Sequence, residues 1–542
     1  MSQSKAKRIL WLINHKTLMK AEVPLLEGLG YEVFVPKIIP AAGFRSGCVD
    51  FAYDRGLSLP TSDLEHLNAF DFYGSEWTLD IERIINTHFG IAFVRPYTRL
   101  KLLQCLRRFA GHVTFRAFGN ENGGCYSRTL GREVIDLIAA RGSRFSFAAG
   151  YRQVAGAEAE FLKRRSVYFP IGLDDGFRIH ADTWTGARKC FLAIIPDILS
   201  GHMAAAAYRD LKEHMGHIPH IIAGAQLIPV DDPSVIGFVT DSELLGLYRN
   251  CAAFFSPSRN LRHILYSPIE AAIVGQPIVC YAESLLGQFI GNPAWGCAAD
   301  AGEAASLLGR LVEGDSDTAR GMILGQKQFL EGFSAEACRR AYAPALELML
   351  VSAESGAERI IPIAPCDLVN LLPEEIGEPA APDEWIDFAA PKWPQSIRGI
   401  FGISWADDWG RWSEGDHIVI EFARPLPRHA RVTLVAGTND ENADRPFAVR
   451  AGAASASSRL TAWPWHRRQV QIELEIEAGI SILEIEIPHP TPTPNGRLIG
   501  LGICQLRVEN RAPPETRNPE GKAPPISQKR KWWSIGGMGK GG

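Results

Sequence analysis

Two stretches in which β-branched and aromatic runs alternate with amphipathic helical patterns, followed by a Pro-rich break and then by strands of strict period two without a credible helix, predict the fold class. The chain reads as α/β, two tandem Rossmann-like domains followed by an antiparallel β-sandwich. At 542 residues it is too long for one apolar core. The boundaries fall at 1–185 for the first α/β unit, 186–360 for the second, 361–400 for a Pro-rich linker and 401–510 for the sandwich. Residues 511–542 form a basic tail rich in Pro, Gly and Lys, expected to be disordered.

In the first unit RILWLIN reads as a strand, KAEVPLLEGLG as a helix and YEVFVPK as a strand. IAFVRP, HVTFRAFG, SRFSFAAG and SVYFPIGL continue the strands, separated by TRLKLLQCLRRFAG, LGREVIDLIAARG and a further helix. DDGFRIHADTWTGARK has no periodicity and joins the units. In the second unit CFLAIIPDI, HIPHIIAG, SVIGFV, AAFFSPS and PIVCYAE are strands. AAAAYRDLKEHM, TDSELLGLYRNC, SPIEAAIVG and AGEAASLLGRLVEGD are helices, the second of them capped by Thr240 or Asp241 with Glu243 able to close a capping box. HIVIEFA, RVTLVAG, FAVRAG, VQIELEIEAG, ISILEIEIP and LGICQLRVEN supply the sandwich.

Composition excludes several function classes. With 46% apolar and 22% charged residues and a net charge of -4, the chain lacks the basic surface that nucleic acid requires. Its ten cysteines form no CxxC pair and no cluster with His at ligand spacing, so no metal site is signalled. The apolar run after MSQSKAKR is too short for a signal peptide, and no segment is long enough to span a bilayer. The expected location is cytoplasmic. KRKWWS in the tail is either a solvated end or a peripheral contact with the anionic inner face of the membrane.

The most informative stretch is SPSRNLRHILYSPIEAAIVGQPIV. A strand ends at Ser256-Pro257-Ser258, a loop follows, and a helix opens near Ser267-Pro268 with Glu270 on its first turn. Pro268 suits a first turn, where its missing N–H would be unpaired anyway. A helix N-terminus at a strand's carboxyl end presents donors to a diphosphate, and a carboxylate beside it suits a pair of ribose hydroxyls. Taken alone, Glu270 would be a charge favoured by the helix dipole. Together these features point to a nucleotide diphosphate.

The segment VIGFVTDSELLGLYRNCAAFFSPS…SPIEAAIVGQPIV resembles GT-B glycosyltransferases of the retaining family 4 type. The likeness covers roughly residues 190–315; the first domain shares only the architecture. It implies a nucleotide-diphosphate sugar as donor substrate, no cofactor and no metal, and a surface polysaccharide or lipid-linked glycan as acceptor. By position Glu270 matches the second glutamate of the Glu-x7-Glu motif, the ribose binder. Ser267 and Pro268 would flank the donor phosphates, and Gly275-Gln276-Pro277 would end the helix. The first motif glutamate falls on Arg262, and the Arg and Lys usual after the domain's first strand are replaced by Asp197, Ser200 and His202. Arg262, Arg259 or His263, with Ser258 nearby, would then supply the charge for the diphosphate. Otherwise the chain is a degenerate carbohydrate-binding or scaffold protein. A nucleotide-sugar epimerase, which shares the fold, is a third reading.

In the first domain His15, after the first strand, and Glu121, in RAFGNENGG, are candidates for an acceptor base, with Arg116 and Asn120 placed to hold the acceptor. Asp71, Tyr73 and Glu76 form a polar and aromatic cluster suited to sugars. A lone histidine at a strand end is commonly a structural hydrogen-bonding group, which is the competing reading of His15. ISWADDWGRWSEGDHIVIEFARPLP resembles an uncharacterised sandwich domain found at the C-terminus of some bacterial polysaccharide glycosyltransferases and membrane-bound sugar-phosphate transferases. Its Trp405, Trp409 and Trp412 would either stack on sugar rings or plug the end of the sandwich.

Overall fold

The structure is a computed structural model that describes residues 7–40, 47–95, 99–120, 124–354, 363–379, 384–461, 468–493 and 498–511. Glu121 and residues 512–542 of the tail lie outside the described residues.

The first sheet contains β1 (Arg8–Leu12), β2 (Glu32–Phe34), β3 (Ile91–Val94), β4 (His112–Ala117), β5 (Phe145–Ala149) and β6 (Ser166–Tyr168). They pair in parallel in the order β2-β1-β3-β4-β5-β6. β1 and β3 are buried along their whole length, which is why they read as continuous apolar runs rather than alternating ones. The second sheet contains β7 (Arg188–Ile194), β8 (His220–Ala223), β9 (Val235–Gly237), β10 (Cys251–Ser256), β11 (Ile278–Tyr281) and β12 (Cys297–Ala298). It is also parallel, in the order β12-β11-β10-β7-β8-β9. The two tandem Rossmann-like domains expected from the alternating pattern are the observed arrangement.

Strand order therefore reverses between β1 and β3 in the first sheet and between β7 and β10 in the second. At such a reversal the two following helices lie on opposite faces, and a crevice opens beyond the strands' carboxyl ends.

The helix Ala335–Glu354 returns to the first sheet, although it follows the second in sequence. Tyr342 stacks on Phe169 with ring centroids 3.5 Å apart and donates its hydroxyl to the Pro170 carbonyl at 2.7 Å. Ser352 Oγ lies 2.7 Å from His112 Nδ1 of β4.

The C-terminal region is the expected antiparallel sandwich. Strands Ile386–Asp387, Leu501–Asn510, His429–Thr438 and Arg468–Glu475 form one sheet. Ile397–Phe401, His417–Phe422, Ile482–Glu486, Pro446–Ala451 and Ala454–Arg459 form the other. Ile386–Asp387 and the start of Ile397–Phe401 fall inside the stretch read as linker; their short length and flanking prolines hide them from a periodicity count. The sandwich core is aliphatic, with Ile418, Ile420, Val432, Leu434, Leu483 and Ile485 at its centre.

Arg116 on β4 is not a ligand contact. It is fully buried and binds Glu22 of the helix Lys16–Gly28, with Nη2 2.5 Å and Nε 3.0 Å from Glu22 Oε1. It also donates to the carbonyls of Ala148 at 3.1 Å and Pro170 at 3.3 Å. Removing one partner of such a pair strands the other charge in the core. Arg116→Met should therefore cost about 3–5 kcal/mol, while Glu22→Leu combined with Arg116→Met should recover most of it. Urea unfolding of the two variants checks this; a single variant as stable as the wild type would refute the assignment.

Candidate active site

The two reversal points carry the candidate residues. In the loop after β1, Asn14 has a positive φ of 36°. Its amide donates to the Pro36 and Ile38 carbonyls at 3.2 and 3.1 Å and its oxygen accepts from Cys48 N at 2.9 Å. This fixes the loop so that His15 becomes the N-cap of the helix Lys16–Gly28, its Nδ1 accepting from Leu18 N at 3.4 Å. With Nδ1 as acceptor, the neutral ring carries its proton on Nε2. In this state the ring offers its Nε2–H as a donor. Burial, reinforced by the Arg95 guanidinium just beyond β3, pushes its pKa down to about 4.

The loops after β7 and β10 flank the second reversal. Asp197, with φ of 55°, accepts from Leu227 N at 3.0 Å, so its carboxylate braces the loop after β7 against the loop after β8. After β10, Ser258 Oγ accepts from Asn260 N at 3.2 Å, and Asn260 Oδ1 accepts from Arg262 N at 2.8 Å. Asn260 Nδ2 then donates across to the Asn120 carbonyl of the first domain at 2.8 Å, while Asn120 Nδ2 donates to the Gly124 carbonyl at 2.9 Å. Gly119 sits with φ of 89° directly against this loop: a Cβ there would fall 2.1 Å from the Arg262 carbonyl oxygen, so only glycine permits the approach. His263 is half-buried beside the same contact. Desolvation and Arg95 lower its pKa to about 4, so Arg95 acts on the histidines of both domains.

The two arginines expected to meet a diphosphate are engaged. Arg259 stacks over the Tyr281 ring at 3.6 Å, pairs with Glu283 and lies 3.7 Å from Asp210. Arg262 Nη2 lies 2.5 Å from Glu374 Oε1.

The helix after this loop runs Tyr266–Val274 with Leu265 as N-cap, and Gly275 closes it in the left-handed conformation expected of a Gly-Gln-Pro terminus. Glu270 consequently stands on the second turn, not the first. Pro268 is compatible with the earlier start because any of the first N–H groups of a helix lacks an intrahelical partner. Tyr248, fully buried on the helix Asp241–Asn250, donates to Glu270 Oε2 at 3.0 Å and also meets the Ser267 side chain. That helix is capped by Thr240 with Glu243 in a complete capping box, as expected. Burial raises the pKa of Glu270, and Asp241 and Asp174 add to the rise, while the Tyr248 bond and Lys16 oppose it. Lys16 of the first domain pairs with Asp241 of the second, next to this carboxylate.

The structure thus brings loops of the two domains into contact at Asn120, Arg262 and His263, with His15 and His263 both near Arg95, while Ser258, Ser267 and Glu270 lie on the adjoining loop and helix. Pro268 is buried in the helix, and Arg259 is turned toward Tyr281. His202 begins the helix His202–Met215. Tyr73 is buried and Glu76 exposed in a turn held by Asp71 and by Lys101, whose Nζ donates to the Ser75 carbonyl at 2.6 Å. That turn is a structural element of the first domain. Trp409 and Trp412 meet edge to face at 5.3 Å beside Gly502, where an added Cβ would lie 3.1 Å from Trp409, and Trp405 is 55% exposed. Trp409 and Trp412 are half-buried, and none of the three is among the buried side chains of the sandwich core. Sequence reasoning missed Arg95, Tyr248 and Glu374. Arg95, the residue after β3, follows from the reversal rule once strand order is known.

A family model described as a domain of unknown function, DUF7024, matches residues 377–510, the sandwich and the strand that leads into it. Among curated proteins, phosphoglycerol transferase I of Salmonella choleraesuis (strain SC-B67) is 39% identical over 62 residues, 11% of this chain; the match spans 8% of that relative's length. Similar solved structures include Anabaena HepE in complex with UDP and glucose, 13% identical with a TM-score of 0.44, covering 63% of this chain and 99% of that one. A glycosyltransferase from Rickettsia africae ESF-5 is 12% identical with a TM-score of 0.43, covering 63% and 98%.

His15 and His263 are held neutral in the folded protein, whereas in the unfolded chain they titrate near the ordinary value of 6.5. The unfolded state binds more protons between those values, so the two groups contribute stability above pH 6.5 that is lost as pH falls toward 4. Each adds up to about 1.4 kcal/mol per pH unit in that window. His15→Asn, which keeps an N-cap acceptor, and His263→Asn should each flatten the slope of unfolding free energy between pH 4.5 and 6.5. An unchanged slope in both would contradict the burial assigned to these rings.

Proposed function

We propose that this protein is a glycosyltransferase that moves a sugar from a nucleotide-diphosphate sugar to a surface polysaccharide or lipid-linked glycan. The observation that carries the reading is Glu270. A carboxylate taken largely out of water, one turn inside a helix that opens at the strand reversal of a parallel sheet, is costly unless it has work to do. Its two oxygens match the paired hydroxyls of a ribose, and the N-terminus of its helix offers backbone donors to the adjoining diphosphate. Lys16, reaching over from the first domain, adds a positive charge beside the same helix. Negative charge grows on the leaving diphosphate during transfer, and preorganised donors of this kind stabilise it without reorganisation. Retention of configuration and transfer without a metal ion are implied by the resemblance to family 4.

A second reading, a nucleotide-sugar-binding scaffold without turnover, is favoured by one observation: Arg259 and Arg262 are each already paired with a carboxylate. No helix among the described residues is long and apolar enough to cross a membrane.

Binding is measured by calorimetry against a panel of nucleoside diphosphates and nucleotide sugars, and turnover by release of nucleoside diphosphate. Glu270→Gln keeps an acceptor for Tyr248 and the fold, yet should weaken binding of the best ligand about 10- to 100-fold, the worth of charge-assisted hydrogen bonds. Undiminished affinity would remove Glu270 from the ligand, and binding without release would select the scaffold.

A further inference from the structure

The segment 363–379 between the second α/β domain and the sandwich forms a strap held against the first domain and the sandwich, and two adjacent glutamates on it bond in different directions. Glu375 bonds to the first domain. Arg128 Nη2 donates to Glu375 Oε2 at 2.7 Å and to the Asn370 carbonyl at 2.9 Å, while its Nε donates to Asn370 Oδ1 at 2.9 Å. The same stretch is fastened to the sandwich, Trp393 N donating to the Glu375 carbonyl and Gly377 N to the Trp393 carbonyl at 2.7 and 2.6 Å. Glu374, one residue earlier in the short 3-10 turn Pro373–Glu375, pairs instead with Arg262 in the loop after β10. The Arg262 side chain is only 12% exposed, and Glu374 is 39% exposed.

We infer that Glu374 is a positioning residue: acting through Arg262, it holds the loop between β10 and the Glu270 helix against the first domain, so that separation of the two domains requires this ion pair to break. The loop already touches the first domain through Asn260 on the Asn120 carbonyl and through the Gly119 approach to the Arg262 backbone. Those two contacts involve backbone atoms and a neutral amide. The Glu374 pair adds a charged contact, and it is carried by a segment bonded to the first domain and the sandwich at once. The sandwich is thereby coupled to the loop that leads into the proposed ligand helix, more than a hundred residues away in sequence. The pair also has an electrostatic consequence. Arg262 beside Glu374 presents less net positive charge to the cleft than it would alone, so rupture of the pair would hand a guanidinium to an anionic ligand.

The functional half of this inference rests on the glycosyltransferase reading; the structural half does not, and the experiment separates them. Amide hydrogen exchange is followed in peptides covering residues 257–265 for the wild type, Glu374→Gln, and the charge-exchanged double variant Arg262→Glu/Glu374→Arg, each as the full chain and without ligand. Glu374→Gln should speed exchange of this loop about tenfold and leave the sandwich core unchanged, and the double variant should return the loop toward wild-type rates. In parallel, Glu374→Gln should raise KM for the best nucleotide sugar of the panel more than it lowers kcat. Unaltered exchange of the loop in Glu374→Gln, or a double variant as loose as the single one, overturns the inference. Loosening and rescue in a protein that binds no nucleotide sugar would uphold the role of Glu374 and sink only the proposed function.

Discussion

The reversal of strand order is the constraint on which the rest of this molecule depends. A parallel sheet wound in one direction leaves every crossover helix on the same side, and its strand ends closed over. Reversal between β1 and β3, and again between β7 and β10, opens one crevice per sheet, and loops of the two domains touch through Asn260 and Asn120 and through Lys16 and Asp241. His15 and Arg95 stand at the first; the loop carrying Asn260, Arg262 and His263 stands at the second. Arg95 shifts the histidines of both domains in the same direction because it lies where the crevices meet.

Polar chemistry around this junction is divided by depth. At the bottom, the Glu22–Arg116 pair is fully desolvated and satisfied largely by protein groups, a structural use of charge in which burial must be matched by geometry. Glu270, by contrast, accepts from Tyr248 and feels the nearby Lys16, and its carboxylate is less fully engaged by protein groups than the Glu22–Arg116 pair. The contrast explains why two charged residues that look equally suggestive in the sequence, Arg116 and Glu270, have different standing in the folded protein.

Much of the fold was legible from periodicity, because strands buried on both faces and strands buried on one leave different signatures. The capping box at Thr240 and the left-handed Gly275 are local chemistry and were equally readable. Several features were not. The start of the Glu270 helix is two residues earlier than Pro268 suggests, since proline marks a first turn but does not say which residue opens it. Arg116 was misread because burial of a strand-end arginine depends on a glutamate 94 positions away. Glu374 was invisible for the same reason: its partner is brought to it by the path of the strap, which no local pattern records.

The return of the helix Ala335–Glu354 to the first sheet has a consequence for how the chain comes to be folded. His112 meets Ser352, and Phe169 and Pro170 meet Tyr342, so the last layer over β4 and β6 is synthesised only after the whole second sheet. A growing chain emerging from the ribosome can assemble β1 to β6 early but must leave part of one face of that sheet uncovered until residue 352 has appeared. At about 5–20 residues per second this is an interval of roughly ten seconds or more, during which an apolar surface is open to solvent and to neighbouring chains. The second domain, by contrast, is an unbroken stretch of sequence and can close as soon as it is made. Protection of the first sheet during synthesis is therefore a demand that the topology itself places on the cell.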